Sequence, residues 1–184
     1  MKATGVVRRI DDLGRIVIPK EIRKTLRIKE GTPLEIFTEK EGNIVLKKYS
    51  PIGELSSFSS EYAECISNVT NYICVITDKD CVIAVSGMPK RNLLEEPISE
   101  DLEKIIDKRD ILITTEKKDI NITRKSYPDV LKNLSGAKIV VPIVSESEVI
   151  GCIILVKKSS FDVQKSEQEI AKVAASFLGS HLEI

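Results

Sequence analysis

The stretch KKYSPIGELSS, residues 47–57, limits the available folds more than any other feature of the chain. A charge pair, a Pro, a Gly and serines in succession mark a boundary between units. The expected division is a first unit of residues 1–50, a linker at 51–54 and a second unit at 55–184. A unit of about 50 residues lies below the size at which a single chain buries a secure core, since most domains run to about 100–150 residues. The first unit is therefore expected to complete itself by association.

Its pattern is mostly β. Thr4–Ile10 and Arg15–Ile18 read as short strands around the turn Asp11-Asp12-Leu13-Gly14. Pro19 stands where a first helical turn tolerates a missing N–H, so Lys20–Ile28 reads as a short helix closed by Gly31 and Pro33. Leu34–Thr38 and Asn43–Lys48 flank Glu39-Lys40-Glu41-Gly42, a hairpin signature.

Charge carries the functional signal. The whole chain balances 28 Lys+Arg against 28 Asp+Glu, for a net charge of +0, which on its face argues against a nucleic-acid partner. The balance is a cancellation. Residues 1–50 hold 12 basic and 7 acidic side chains, net +5, and the remainder holds 16 and 21, net −5. Lys20, Arg23, Lys24 and Arg27 recur at i, i+3, i+4 and i+7, one face of a helix, while Ile22 and Leu26 are expected to point the other way, into a core. Arg8, Arg9 and Arg15 flank the 11–14 turn. Stability alone gives no reason to gather like charges so closely. Phosphates relieve their repulsion, and Arg also bridges guanine O6 and N7 in the major groove. Duplication of this face about a two-fold axis suits pseudo-symmetric DNA sites.

After the boundary the pattern is α/β. Leu55, Phe58, Tyr62, Ile66 and Val69 share one helical face. Tyr72–Thr77 with Cys81–Ser86, and Lys138–Ser145 with Val149–Lys157, form two further hairpins. Ser99 caps a helix with Glu100 and Asp101 in its first turn and Lys108 and Arg109 in its last, burying Leu102, Ile105 and Ile106. A last helix from about Asp162 carries Val163, Ile170, Val173, Ala174, Phe177 and Leu178. Ile111–Thr115 and Ile120–Thr123 read as candidate strands in an otherwise irregular stretch, 111–137, that either covers a pocket or forms a loop.

Catalytic and metal chemistry have little to draw on. The one histidine, His181, lies near the chain end, which leaves nucleophile–His schemes poorly supplied. No GxxxxGK[ST] or GxGxxG occurs, and the cysteines at 65, 74, 81 and 152 lack paired ligand spacing. Cys74, Cys81 and Cys152 sit in apolar runs and read as buried, inert side chains. No enzyme activity, metal or cofactor is expected. The start, MKATGVVRR, lacks an apolar signal region, and the longest aliphatic run is far short of the ~20 residues of a spanning helix. A cytoplasmic protein without a membrane partner is expected.

The residues ATGVVRRIDDLGRIVIPKEIRKTLRIKEGTPLEIF…GNIVLKKYSP, continuous over 2–51, resemble the AbrB-type transition-state regulators. The GR-IVIP-KEIR core is specific to them. With an α/β unit attached, the whole chain is similar to the sporulation branch of that family, in which a GAF domain follows. The resemblance implies an α+β architecture: an N-terminal strand-swapped dimeric β-barrel of the swapped-hairpin type that binds double-stranded DNA, then a GAF-like α/β domain. It implies DNA contacts by Arg8, Arg9, Arg15, Arg23 and Lys24, which Lys20 and Arg27 join on the residue pattern. The family often has Arg where this chain has Lys24, so a phosphate contact is expected there rather than a bidentate one.

The expected function is sequence-specific regulation of sporulation genes by a nucleoid-associated protein, in the forespore. A homodimer would form through residues 1–50, and a homotetramer through helices of the second domain. That domain either takes a small-molecule ligand or serves only to oligomerise. The other readings are an antitoxin-like protein or a sensor, each acting mainly on a protein partner.

Overall fold

Near-continuous apolar strands such as Val149–Val156 need cover on both faces of a sheet, and the chain supplies it. The computed structural model describes residues 5–40, 42–54, 56–115, 118–125, 134–158 and 160–181. Two units divide them, Met1–Tyr49 and Ser50–Ile184.

In the first unit, α1 spans Lys20–Leu26, and β1 (Leu34–Thr38) pairs antiparallel with β2 (Ile44–Lys48), Ile36 opposite Leu46. The strands expected at 4–10 and 15–18 do not form: residues 5–19 carry only the 11–14 turn, and Thr4 lies outside the described residues. A strand exists only against a neighbour, and within one chain this segment has none. The helix also ends earlier than Ile28. Arg27 takes a left-handed conformation at φ 56°, and the Ile28 N–H reaches back to Arg23 O at 2.8 Å. This closure mimics a glycine C-cap without the glycine.

No described residue of 5–49 is buried. Val7 is 84% exposed and Val17 71%, and Val6, Ile10, Leu13, Ile16, Leu26, Ile36 and Ile44 are exposed as well.

The second unit is a five-stranded antiparallel sheet in the order β4-β3-β7-β6-β5, with β3 Ile73–Asp78, β4 Val82–Ser86, β5 Leu112–Ile113, β6 Lys138–Ser145 and β7 Glu148–Val156. On one face lie α2 (Pro51–Glu54), α3 (Ser56–Thr70) and α5 (Lys165–His181), whose Ile52, Ala63, Ile66, Ala171, Ala175 and Leu178 pack with Ile139, Val141, Ile153 and Leu155. On the other lie α4 (Glu100–Lys108) and residues 118–125, whose Leu102, Ile105, Ile106 and Ile122 pack with Val140, Cys152, Ile154 and Val156. Positions 152–156 of β7 thus alternate between the two cores, as the pleat requires.

Residues 51–54, expected as a linker, are this α2 turn, because Ile52 is fully buried in the core. Leu55 lies outside the described residues. The Ser99 cap forms as expected, its Oγ accepting from the Leu102 N–H at 3.1 Å. Of the stretch 111–137, Leu112–Ile113 pairs with β6, and Ile120–Thr123 makes only one bridge, Thr123 to Ile98. Residues 116–117 and 126–133 of it are outside the described set.

Two glycines permit close backbone approach, one between neighbouring strands and one between helix and sheet. A Cβ on Gly151 of β7 would meet Thr77 O at 1.9 Å, and one on Gly179 of α5 would meet Val144 O at 2.0 Å. Backbone approaches backbone there, and no side chain can yield.

Candidate nucleic-acid interface

The basic loop is organised by an acid. Asp11 Oδ1 accepts from the Leu13 N–H at 3.0 Å and the Arg15 N–H at 2.7 Å, and Oδ2 accepts from Arg15 Nε at 2.8 Å. Gly14, at φ +75°, turns the chain where a side chain would be strained, and its N–H meets Asp11 O at 3.0 Å. The Arg15 N–H, then its guanidinium, hold the Asp11 carboxyl below its ordinary 3.8. Arg15 therefore has Nε committed inward and its terminal nitrogens directed elsewhere. Arg8 bonds only its neighbour, Nη1 to Val7 O at 3.3 Å, and both Arg8 and Arg9 are exposed.

On α1, Lys20, Arg23 and Lys24 are exposed. Arg23 Nε donates to Ile18 O at 3.2 Å, which ties the helix face to the segment leaving the loop. A guanidinium fixed through Nε keeps its two-pronged edge for a phosphate or a guanine. Arg27 departs from the expected face: it closes the helix as the left-handed residue and is half-buried. Sequence reasoning placed the basic residues and read Asp11 as part of a turn, without its hold on Arg15. The signal was present in the spacing Asp-x-x-Gly-Arg.

A second exposed surface lies on α3 and α5. Phe58 stacks on His181 at 4.4 Å between ring centroids, Tyr62 on Phe177 at 5.2 Å, and the Tyr62 hydroxyl donates to Ala174 O at 3.3 Å. Val69, Ile170, Val173 and Phe177 remain exposed around them, as does Cys65. By contrast, burial pushes the thiols of Cys74 and Cys152 up to about 12, as burial and the Asp78 charge do for Cys81.

Residues 54–183 match the family described as "Stage V sporulation protein T C-terminal, transcription factor". The chain belongs to the stage V sporulation protein T family of transcription factors. It is 43% identical over 183 residues to stage V sporulation protein T of Bacillus subtilis (strain 168), spanning 100% of this chain and 99% of that relative. Residues 7–54 match the family described as "Antidote-toxin recognition MazE, bacterial antitoxin". The transition state regulatory protein AbrB of the same organism is 57% identical over 51 residues, 28% of this chain and 52% of AbrB. Among solved structures, the GAF domain from Acinetobacter phosphoenolpyruvate-protein phosphotransferase superposes with a TM-score of 0.52 at 11% identity, over 74% of this chain and 84% of that one. That likeness shows the fold alone.

The architecture is thus α+β, an AbrB-type domain followed by a GAF-like domain. The family is one of DNA-binding transcription regulators and not of enzymes. No described helix is long and apolar enough to cross a membrane.

Proposed function

We propose that the chain regulates sporulation genes as a sequence-specific homo-oligomer on the nucleoid, in the forespore cytoplasm. Arg8, Arg9, Arg15, Lys20, Arg23 and Lys24 form its DNA-contacting set, without Arg27, which closes the helix. The observation that carries the reading is a first unit with no buried residue among those described, whose exposed Val6, Val7, Ile10, Ile16 and Val17 precede and follow the basic loop. A second copy that exchanges these segments as strands would bury them and set two basic loops about a two-fold axis. The apolar stripe of α3 and α5 supports a further association, dimer to tetramer, through the second domain. A small ligand in that domain would then modulate DNA affinity.

The full chain titrated against an operator fragment at rising salt tests the reading. With roughly 8 phosphates neutralised per dimer, the slope of log K against log salt is about −7. An affinity indifferent to salt overturns it.

The match of residues 7–54 to an antitoxin family favours one other reading, a protein that captures a toxin. Pull-down from a DNA-depleted lysate separates the two: a stoichiometric protein partner supports capture, and its absence supports the DNA reading.

A further inference from the structure

Lys138 opens β6 and is 2% exposed, the most deeply buried charged residue among those described. Its register fixes where it points. Lys138 stands opposite Val156, and Leu112 opposite Val140, so Thr114, Lys138, Leu112, Val140 and Val156 line the sheet face beneath α4. Thr114, itself fully buried, accepts the Lys138 N–H on Oγ1 at 2.7 Å. The Lys138 ammonium pairs with Asp119, whose side chain is 46% exposed.

Asp119 belongs to residues 118–125, which lie across this face without forming a strand. Ile120 and Ile122 of that segment pack onto the apolar cluster, and its far end is pinned by Ser99 Oγ to Asn121 O at 2.6 Å and Arg124 to Glu103 at 3.0 Å. The near end is held by the Asp119 carboxylate, which also takes the Ile120 N–H at 2.8 Å.

A buried ammonium needs an anionic partner, and here a half-exposed carboxylate reaches it from the surface, a position for which an outside carboxylate can compete. We propose that Lys138 is the anchor of a binding site for a small carboxylate with an aliphatic body, and that Asp119 is the internal carboxylate occupying it in this state. A ligand carboxylate replaces Asp119 on Lys138 beside Thr114, and its aliphatic part takes the place of Ile120 against Leu112, Val140 and Val156. This deepens the ligand-modulated reading and rests on it for its consequence on DNA.

Chemical rescue in the full-length protein tests the site. Asp119→Ala and the milder Asp119→Asn are melted in about 50 mM sodium butyrate, in sodium phosphate and in sodium chloride at equal ionic strength, with mass action converting binding into a raised Tm. The site predicts a lower Tm than wild type for both variants in chloride, with at least half the loss regained in butyrate. The regain is smaller in phosphate and absent from the Lys138→Met, Asp119→Ala double variant. Equal effects of butyrate and chloride, or an undiminished effect in the double variant, overturn the site, and equal effects of butyrate and phosphate overturn the carboxylate class. Operator affinity of Asp119→Asn with and without butyrate is read separately. Rescue without a change in that affinity keeps the site and overturns the gating.

Discussion

Asp11 takes two hydrogen bonds from Arg15, one from its backbone N–H at 2.7 Å and one from Nε at 2.8 Å. One carboxylate thereby shapes the loop and aims a guanidinium. Asp11→Asn removes the charge and the Oδ2 acceptor that holds Arg15 Nε, while its remaining Oδ1 still takes the two backbone N–H groups. We expect affinity for random DNA to rise, because a repelling charge is gone, while the ratio of operator to random affinity falls. Competition binding at fixed salt measures the ratio, and an unchanged ratio is the opposing result. The lowered pKa of Asp11 gives the pH sign: loop order is present above 3.8 and is lost as pH falls through the lower folded value. The Arg15 amide resonance followed from pH 6 downward reports it.

Arg15 and Arg23 are held through Nε, and Lys24 is an exposed point charge. Arg15→Ala and Arg23→Ala should each cost about 1–3 kcal/mol on the operator and relax sequence preference. Lys24→Ala should weaken all DNA alike and reduce the salt slope by about 1. Fluorescence anisotropy with operator and scrambled duplexes at several salt concentrations distinguishes the two patterns.

Cys65 shares the α3 face with Phe58, Tyr62 and Val69, and its thiol is exposed within one chain. The assembly proposed above, through this face, would make Cys65 a reporter. Its reaction with a thiol reagent should be slow in the assembled protein and fast in Phe177→Glu, which puts a charge in the stripe. Cys74 and Cys152, with pKa values pushed up to about 12 by burial, stay slow in both. Sedimentation of Phe177→Glu as a dimer accompanies the change, and a tetramer with a fast Cys65 contradicts the face.

Gly179→Ala pushes a methyl group into Val144 O, 2.0 Å from the ideal Cβ position. A loss of about 3 kcal/mol is expected, the upper end of ordinary overpacking, read by urea melts. DNA binding by the protein that remains folded should be unaltered.

Glu167 ties α5 to the sheet. It accepts from Lys157 Nζ at 2.9 Å, from the Tyr72 hydroxyl and, on its other oxygen, from the Gln164 N–H at 2.8 Å. Burial alone would raise its pKa, but these bonds outweigh burial and hold it below 4.5. The contribution is complete above 4.5 and disappears as pH falls through the folded value. Lys157 is raised chiefly by the Glu167 bond, so its share persists up to 10.5 and fades above. Glu167→Gln should lose about 2 kcal/mol at pH 7 and flatten the acid limb of the stability profile.

The sequence conveyed the second domain better than the first because its signals are local. Ser99 with its acidic first turn, and the paired apolar runs of β6 and β7, each specify structure inside one chain. Val6, Val7, Ile16 and Val17 have strand-forming side chains as well, yet no intrachain neighbour receives them. The basic face was legible from residue spacing, apart from Arg27, whose left-handed closure depends on where the helix stops. Lys138 was invisible as a site, since nothing in the string LSGAKIVVPIV tells a snorkelling edge lysine from a buried one. Its burial comes from residues 118–125, brought across the sheet by contacts with Ser99 and Glu103 far away in sequence.

In the assembly proposed above, a reading head with no interior among its described residues draws its stability from association, so that stability is inseparable from protomer concentration. Abundance then acts twice, on operator occupancy and on whether a competent head exists. At low synthesis rates the chain presents an unprotected apolar arm to proteases, and its output stays near zero. Past a threshold, folding and occupancy rise together, giving a response steeper than first order in the amount of protein made. A developmental regulator built this way filters out leaky expression with no inhibitor and no extra gene.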